Sequence, residues 1–204
     1  MSQNKIDVVV YSDYCCPFCY IGFHRIEKLQ EEFNLDVKWR PFEIHPETPK
    51  EGFNFEKSSF PSEYLERVTA NIKRLADEDG LTIKFSNKLP NTRLALFIAE
   101  FAKKEGKFDQ YHKLIMDKYW KDGVDVGNLD ILLDICESIG LDREKVQDYI
   151  QSDEPLNILR NTSNELGAIG INGVPSFKIG GRFIVGAQPI DVFRSIIRSV
   201  IEKS

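Results

Sequence analysis

Three of the four cysteines in this 204-residue chain, Cys15, Cys16 and Cys19, fall within five positions. Cys16-Pro17-Phe18-Cys19 has the spacing of a redox dithiol, because residues three apart on a helix can approach closely enough to close a disulfide. The thiolate is the reactive form of cysteine, and a helix N-terminus stabilises it with free N–H groups and positive partial charge. In that chemistry Cys16, at the exposed helix start, is the nucleophile, and Cys19, one turn deeper, resolves the mixed disulfide. Zinc is the competing reading of C-x-x-C. A structural zinc needs four ligands, commonly as two close pairs, and Cys136, His24, His45 and His112 provide no second pair. No metal is therefore expected.

Cys15 is an accessory thiol with three readings: a spare exposed thiol, a competitor for Cys19, or a small residue ending a strand. Adjacent cysteines rarely reach disulfide geometry with each other, which favours the last. Cys136, within Leu132-Leu133-Asp134-Ile135-Cys136, reads as a core residue. His24 reads as a solvent-facing helix position, while His45 and His112 lack spacing suited to metal or triad chemistry. The aromatics Phe42, Phe53, Phe55, Phe60 and Tyr64 fit a groove or ordinary packing equally well. Glu27-Lys28 and Lys103-Lys104-Glu105 read as solvated faces. A second local signal is Gly173-Val174-Pro175-Ser176-Phe177. Pro175 marks either a strand boundary or a cis turn, and only about 5–6% of X–Pro bonds are cis.

The elements that must hold these residues follow from periodicity. Ile6 to Tyr11 is a short β-branched run, as in a buried strand. Gly22, Ile26, Leu29 and Phe33 then keep helical spacing, with Pro17 well placed in the first turn, where its missing N–H has no intrahelical partner. Asn34 is the stop, and Val37 to Phe42 is a second strand. Such a βαβ order carries parallel strands. From Ser62 to about Leu166 the spacing is helical almost throughout. Leu94, Phe97, Ile98, Phe101 and Ala102 share one face, with Asn91 as N-cap and Gly106 as stop. Further helices are expected over 108–119, 129–139, 143–150 and 156–166. Strands over 176–179 and 182–185 flank the Gly180-Gly181 turn, and a final helix carries Ile190, Phe193, Ile197, Val200 and Ile201. The fold class is α/β: a βαβ…ββα unit with a large all-helical insertion. The domains are 1–61 with 167–204 as one discontinuous unit and 62–166 as the insertion.

Composition narrows the partners. Twenty-seven basic against 32 acidic residues leave −5, too acidic overall for phosphate-backbone recognition, so no nucleic acid is expected. The first apolar run, Val8-Val9-Val10-Tyr11, is far shorter than the roughly 20 residues of a membrane span or the 7–15 of a signal peptide. A cytoplasmic protein without membrane association is the expectation.

The motifs together carry a resemblance. A strand, Cys-Pro-x-Cys at the next helix, a helical insertion and a late Gly-Val-Pro-Ser-Phe resemble the DsbA-like branch of the thioredoxin superfamily. Within it, Ser12-Asp13 through Cys16-Pro17-Phe18-Cys19-Tyr20-Ile21-Gly22 is similar to FrnE-like dithiol–disulfide oxidoreductases. So are Trp39-Arg40-Pro41-Phe42-Glu43 and the Pro90-Asn91-Thr92 helix start, and the likeness spans nearly the whole chain. It implies a thioredoxin-like fold and a cytoplasmic thiol–disulfide oxidoreductase or isomerase. Its partners would be disulfide- or thiol-containing proteins or small molecules. It implies no cofactor beyond the redox-active disulfide, leaves glutathione open as a co-substrate, and allows a monomer or homodimer. It also implies that Val174–Pro175 is cis and packed beside Cys16, and that the Val174 backbone pairs with an extended substrate. Pro17 and Phe18 would shape the site with them. Two positions depart from the pattern: Phe18 stands where the best-known DsbA sequence has histidine, and Leu96, after Ala95, where many FrnE-like chains do. Two other readings remain: a kappa glutathione transferase or hydroxychromene carboxylate isomerase relative, which tends to carry serine at the first cysteine position, and a non-catalytic holdase.

Overall fold

The β-branched run at the start forms strand β1, Ile6–Ser12, in which Val8 and Val10 are completely buried. The structure is a computed structural model that describes residues 5–55 and 61–203. Helix α1, Pro17–Glu32, follows, and β2, Leu35–Pro41, returns parallel to β1. At the far end of the chain β5, Ser176–Ile179, pairs antiparallel with β1, and β6, Arg182–Val185, pairs antiparallel with β5. The sheet order is therefore β2-β1-β5-β6. Gly180 and Gly181 both take positive φ, which a two-residue hairpin turn requires and glycine supplies without steric cost. The last helix, α8, is Ile190–Ile201 and buries Phe193 and Ile197 on the sheet.

Between the two halves lies the helical block. It comprises α2 (Ser62–Glu78), α3 (Arg93–Lys104), α4 (Phe108–Asp117), α5 (Leu129–Ser138), α6 (Arg143–Gln151) and α7 (Glu154–Ala168). Of the predicted interior face of α3, Phe97, Ile98, Phe101 and Ala102 each keep 7% or less of their surface, while Leu94 is partly buried against the same cluster. Asn128 and Asp142 cap α5 and α6 by accepting first-turn N–H groups, the usual role of short polar side chains there. This is a thioredoxin-like α/β fold with helices inserted between its halves.

Three local expectations are corrected. The stretch read as helical from 62 to 166 is broken by β4, Lys88–Leu89, which pairs antiparallel with β3, Phe53–Asn54. Two-residue strands carry too little alternation to register as a period. The helix expected to run to Tyr119 ends at Asp117 and widens into a π-helical turn, Lys118–Asp122, closed by Gly123 at φ 73°. The cap of α3 is Thr92 rather than Asn91, although the Asn91 carboxamide oxygen still accepts from the Arg93 N–H at 3.1 Å.

The core has two parts. One lies between the sheet and α1 and α8, around Val8, Val10, Ile26, Leu29, Phe177 and Phe193. The other joins the β1–α1 turn to the helical block, from Tyr14, Cys16 and Cys19 through Ala95, Ile98, Tyr111 and Trp120. The turn that bears the cysteines is thus packed into the insertion.

Candidate active site

Strand β1 delivers its C-terminal end to the start of α1, and the cysteines sit in that turn. Cys16 is the N-cap residue of α1, in extended conformation, and Pro17 occupies the first turn. The backbone carbonyl of Cys16 accepts from the N–H groups of Cys19 and Tyr20, at 3.0 and 3.3 Å. Cys19 therefore lies one turn into the helix from Cys16. All four cysteines are free thiols.

From the opposite side, the loop before β5 brings Val174 and Pro175 against the turn. The Cys16 Sγ donates to the Val174 carbonyl at 3.4 Å, and the Val174–Pro175 peptide bond is cis. Gly22 packs under this loop and the strand that follows it: a Cβ there would crowd Phe177 at 3.0 Å and reach ordinary contact with the Pro175 ring at 3.4 Å. Phe18 is half-buried against the same cluster.

The exposed helix start expected for Cys16 is corrected. Cys16 keeps 6% of its surface, against 1% for Cys19 and 5% for Cys15. The Val174–Pro175 loop and the helical block both close over the turn, and neither is visible in local sequence. Cys16 nonetheless stays more open than its partner. Cys19 is held at its sulfur by the Asp13 backbone N–H, 3.5 Å away. Burial pushes the Cys19 thiol well up, and the neighbouring Cys16 pushes it the same way. Cys19, the deeper of the two, therefore holds its proton.

Asp13 links the turn to segments distant in the chain. It is 1% exposed and ties three segments together. Its carboxylate accepts from Thr92 Oγ1 at 2.5 Å, from the Ile44 N–H at 2.8 Å and from the Cys15 N–H at 3.5 Å. Burial still outweighs these donors and raises its pKa. Thr92, at the cap of α3, spends its hydroxyl on Asp13 instead of on its own helix. The only sequence signal for this link was a polar pair, Ser12-Asp13, in an otherwise apolar stretch. Cys15 points into the interior, where burial first and then Asp13 push its thiol well up.

Other candidates are placed as follows. Cys136 is fully buried in the helical core. His24 does not face solvent: it lies between α1 and α4, bonded to Glu27 at 2.9 Å, with Asp117 3.9 Å away. His112, given no role by spacing, is 4% exposed and sits at a junction: its Nδ1 pairs with the Tyr14 hydroxyl at 3.1 Å, and Trp39 packs 4.4 Å from its ring. Burial, then the Lys103 ammonium, pushes His112 down to about 3. Lys103 is likewise no solvated residue, since its ammonium donates to Glu100 and to the Trp39 carbonyl. Phe42 belongs to the core, Phe53 and Phe55 pack edge to face, and Tyr64 is 44% exposed. Phe60 lies outside the described residues. No cluster of three or more His, Cys, Asp or Glu is arranged to hold a metal among the described residues.

Residues 7–198 match the model of the DSBA-like thioredoxin domain family. Among curated proteins, YwbO of Bacillus subtilis is 29% identical over 195 residues, covering 94% of this chain and 96% of that protein. A 2-hydroxychromene-2-carboxylate isomerase of a Pseudomonas species is 21% identical over 174 residues, covering 83% and 80%. Among solved structures, a probable DsbA oxidoreductase of Streptomyces coelicolor superposes with a TM-score of 0.86 at 23% identity, covering 98% of this chain and 91% of that one.

Proposed function

The chain belongs to the DSBA-like thioredoxin-domain family, and from that premise we propose that it is a thiol–disulfide oxidoreductase working through Cys16 and Cys19. The observation that carries this reading is the turn itself. Two free thiols one helical turn apart stand at the start of α1, the outer one bonded to the Val174 carbonyl beside Pro175.

The Cys16 thiolate attacks one sulfur of a substrate disulfide, forming a mixed disulfide and releasing the other sulfur as a thiolate. Cys19 then gives up its proton and attacks the Cys16 sulfur, expelling the second substrate thiolate and leaving a Cys16–Cys19 disulfide. Two electrons have passed from the protein to the substrate. A thiol co-substrate, for which glutathione is the small-molecule candidate, reverses the sequence and restores the dithiol. An extended substrate segment pairs with the Val174 backbone, which places its disulfide over Cys16. Pro17 and Phe18 shape the other wall. Pro175 has no N–H to compete for the reacting sulfurs.

A cytoplasmic location goes with this chemistry, because a reducing compartment keeps a dithiol available. Among the described residues no helix is long and apolar enough to cross a membrane. Protein or small-molecule disulfides are the partners, nucleic acid is not, and the protein is a monomer or homodimer. The thioredoxin-like unit, 1–61 with 167–204, carries the chemistry, and 62–166 covers it.

The test uses wild type, Cys16→Ser and Cys19→Ser with insulin as the disulfide substrate, followed by trapping of mixed disulfides. Wild type should turn over, Cys16→Ser should be inactive, and Cys19→Ser should accumulate an adduct on Cys16. Full activity in Cys16→Ser, or no adduct in Cys19→Ser, overturns the assignment. The likeness to a 2-hydroxychromene-2-carboxylate isomerase favours a second reading, glutathione-dependent isomerisation or transfer. That reading predicts activity on such substrates that survives loss of both thiols.

A further inference from the structure

A small cavity lies behind the cysteine turn, between the ends of β1 and β2 and the faces of α3 and α4. It has about 20 Å³ of room for water centres, and its lining includes Ser12, Tyr14, Arg40, Glu100, Lys103 and His112. Three of those residues each bring a buried polar atom with no hydrogen-bond partner: Ser12 Oγ, Arg40 Nε and His112 Nε2. A buried polar group left unmade is costly, and three around one cavity identify it as a polar binding site.

The chemistry of the occupant follows from the donors. Tyr14 Oη lies 3.1 Å from His112 Nδ1. Burial keeps that phenol protonated, and no other acceptor for its proton is present among the described residues, so it donates to Nδ1. The imidazole proton then sits on Nε2. Arg40 Nε–H and His112 Nε2–H are therefore both donors, and Ser12 is a hydroxyl that can accept. Two donors and one acceptor are the complement of a single water that accepts from Arg40 and His112 and donates to Ser12 Oγ. The room exceeds the roughly 10–15 Å³ that one water centre needs.

The site also adjoins the chemistry. Ser12 precedes Asp13, whose N–H reaches the Cys19 sulfur. The Ser12 hydroxyl lies within reach of that sulfur and opposes the upward push on its thiol. In the thiol state it makes no well-aligned bond. With its oxygen accepting from water, its own proton is free to turn to sulfur when charge develops there.

We propose that this cavity is a hydration site whose water joins Arg40 and His112 to Ser12 and so presents the Ser12 hydroxyl to the Cys19 thiolate during resolution. Ser12 and Arg40 are positioning residues for the second step of the exchange, and the proposal rests on the Cys16–Cys19 reading. Cys19 loses its proton to solvent, its electron pair forms the new S–S bond with Cys16, and the departing thiolate carries off the pair of the broken bond. The groups facing this step are Asp13, Cys15 and Cys16 from the turn, Arg40 from β2, Glu100 and Lys103 from α3, and His112 from α4.

The two steps separate in a single-turnover reaction of reduced protein with an aromatic disulfide such as dithiobis(nitrobenzoate). The first coloured thiolate reports attack by Cys16, and the second reports attack by Cys19. Cys19→Ser, which lacks the second phase, defines it. Ser12→Ala should keep the first phase within about twofold and slow the second about tenfold at neutral pH, the scale of one charge-assisted hydrogen bond. The pH profile of the second phase should move upward. Ser12→Thr, which keeps the hydroxyl, should restore it. Arg40→Met, a change at the outer rim of the cavity, should reproduce the slowing if water transmits the donor. An unchanged second phase in Ser12→Ala, or in Arg40→Met, overturns the proposal. Absence of a second phase in wild type would overturn the Cys16–Cys19 reading instead.

Discussion

Arg25 is the substitution at which the structure makes its largest commitment. It lies on α1, one face away from the cysteines, and is 3% exposed. Its Nε donates to the Asp79 carboxylate at 2.6 Å, beyond the end of α2, and one terminal nitrogen donates to the carbonyls of Ala187 and Gln188, each at 2.7 Å. Asp79 is itself 9% exposed. Arg25→Met keeps the stem but takes the donor from two carbonyls and leaves the Asp79 carboxylate with only the exposed Lys28 ammonium, 3.5 Å away. Removing one partner of a buried ion pair costs about 3–5 kcal/mol, against below 1 kcal/mol for an exposed pair. For a chain of this size that is a fall of about 10 °C in melting temperature. Arg25→Lys keeps the charge, but one ammonium cannot span the three acceptors that the guanidinium fork reaches, so about half the loss should remain. The consequence extends to the site. Gly186, just before the two carbonyls, donates its N–H to the Pro175 carbonyl at 2.7 Å, so Arg25 ties the cysteine helix to the loop facing Cys16. Urea denaturation and the alkylation rate of Cys16 should therefore change together in Arg25→Met. A loss below 1 kcal/mol, or complete rescue by lysine, would refute the reasoning.

Two further outcomes follow from the same geometry. Alanine at Gly22 gains about 1 kcal/mol of helix propensity, but its Cβ would meet Phe177 at 3.0 Å, a ring locked edge to face on Phe193, so crowding should win and Gly22→Ala should lower the urea midpoint; a rise would show the contact to be slack. His112, held down to about 3 against an ordinary 6.5, stays neutral in the fold where the unfolded chain takes a proton, so stability should fall with pH below 6.5. At about 1.4 kcal/mol per unit this approaches 3 kcal/mol by pH 4.5, and His112→Gln should remove that slope from the urea midpoints.

The sequence carried the parts of the fold that repeat or punctuate. Ser176–Ile179 and Arg182–Val185 fell on the strands observed, because two glycines leave a hairpin little freedom, and the dithiol spacing was legible because it is local. Residues that act across the fold were not. Asp13 and Thr92 are 79 positions apart, as are no residues that share a helix face or a hairpin, and nothing in either neighbourhood points to the other. His112 looked idle because a buried histidine on an apolar face has the same spacing whether or not its ring is bonded. Lys103 looked solvated because its charge marks it as polar, whereas its amine folds back onto the Trp39 carbonyl. Cys16 was expected exposed because helix geometry describes its own turn and not the loop that arrives from residue 174.

One consequence concerns light. The chain has two tryptophans, one where the cysteine turn meets the helices and one where β2 meets them. Trp120 donates its indole N–H to the Tyr14 carbonyl at 2.9 Å, and Trp39 packs on His112. The intrinsic fluorescence of this protein is accordingly a local signal from that seam. Its intensity and colour follow the docking of the helices onto the turn and onto β2, and α8, which carries neither tryptophan, contributes little to it.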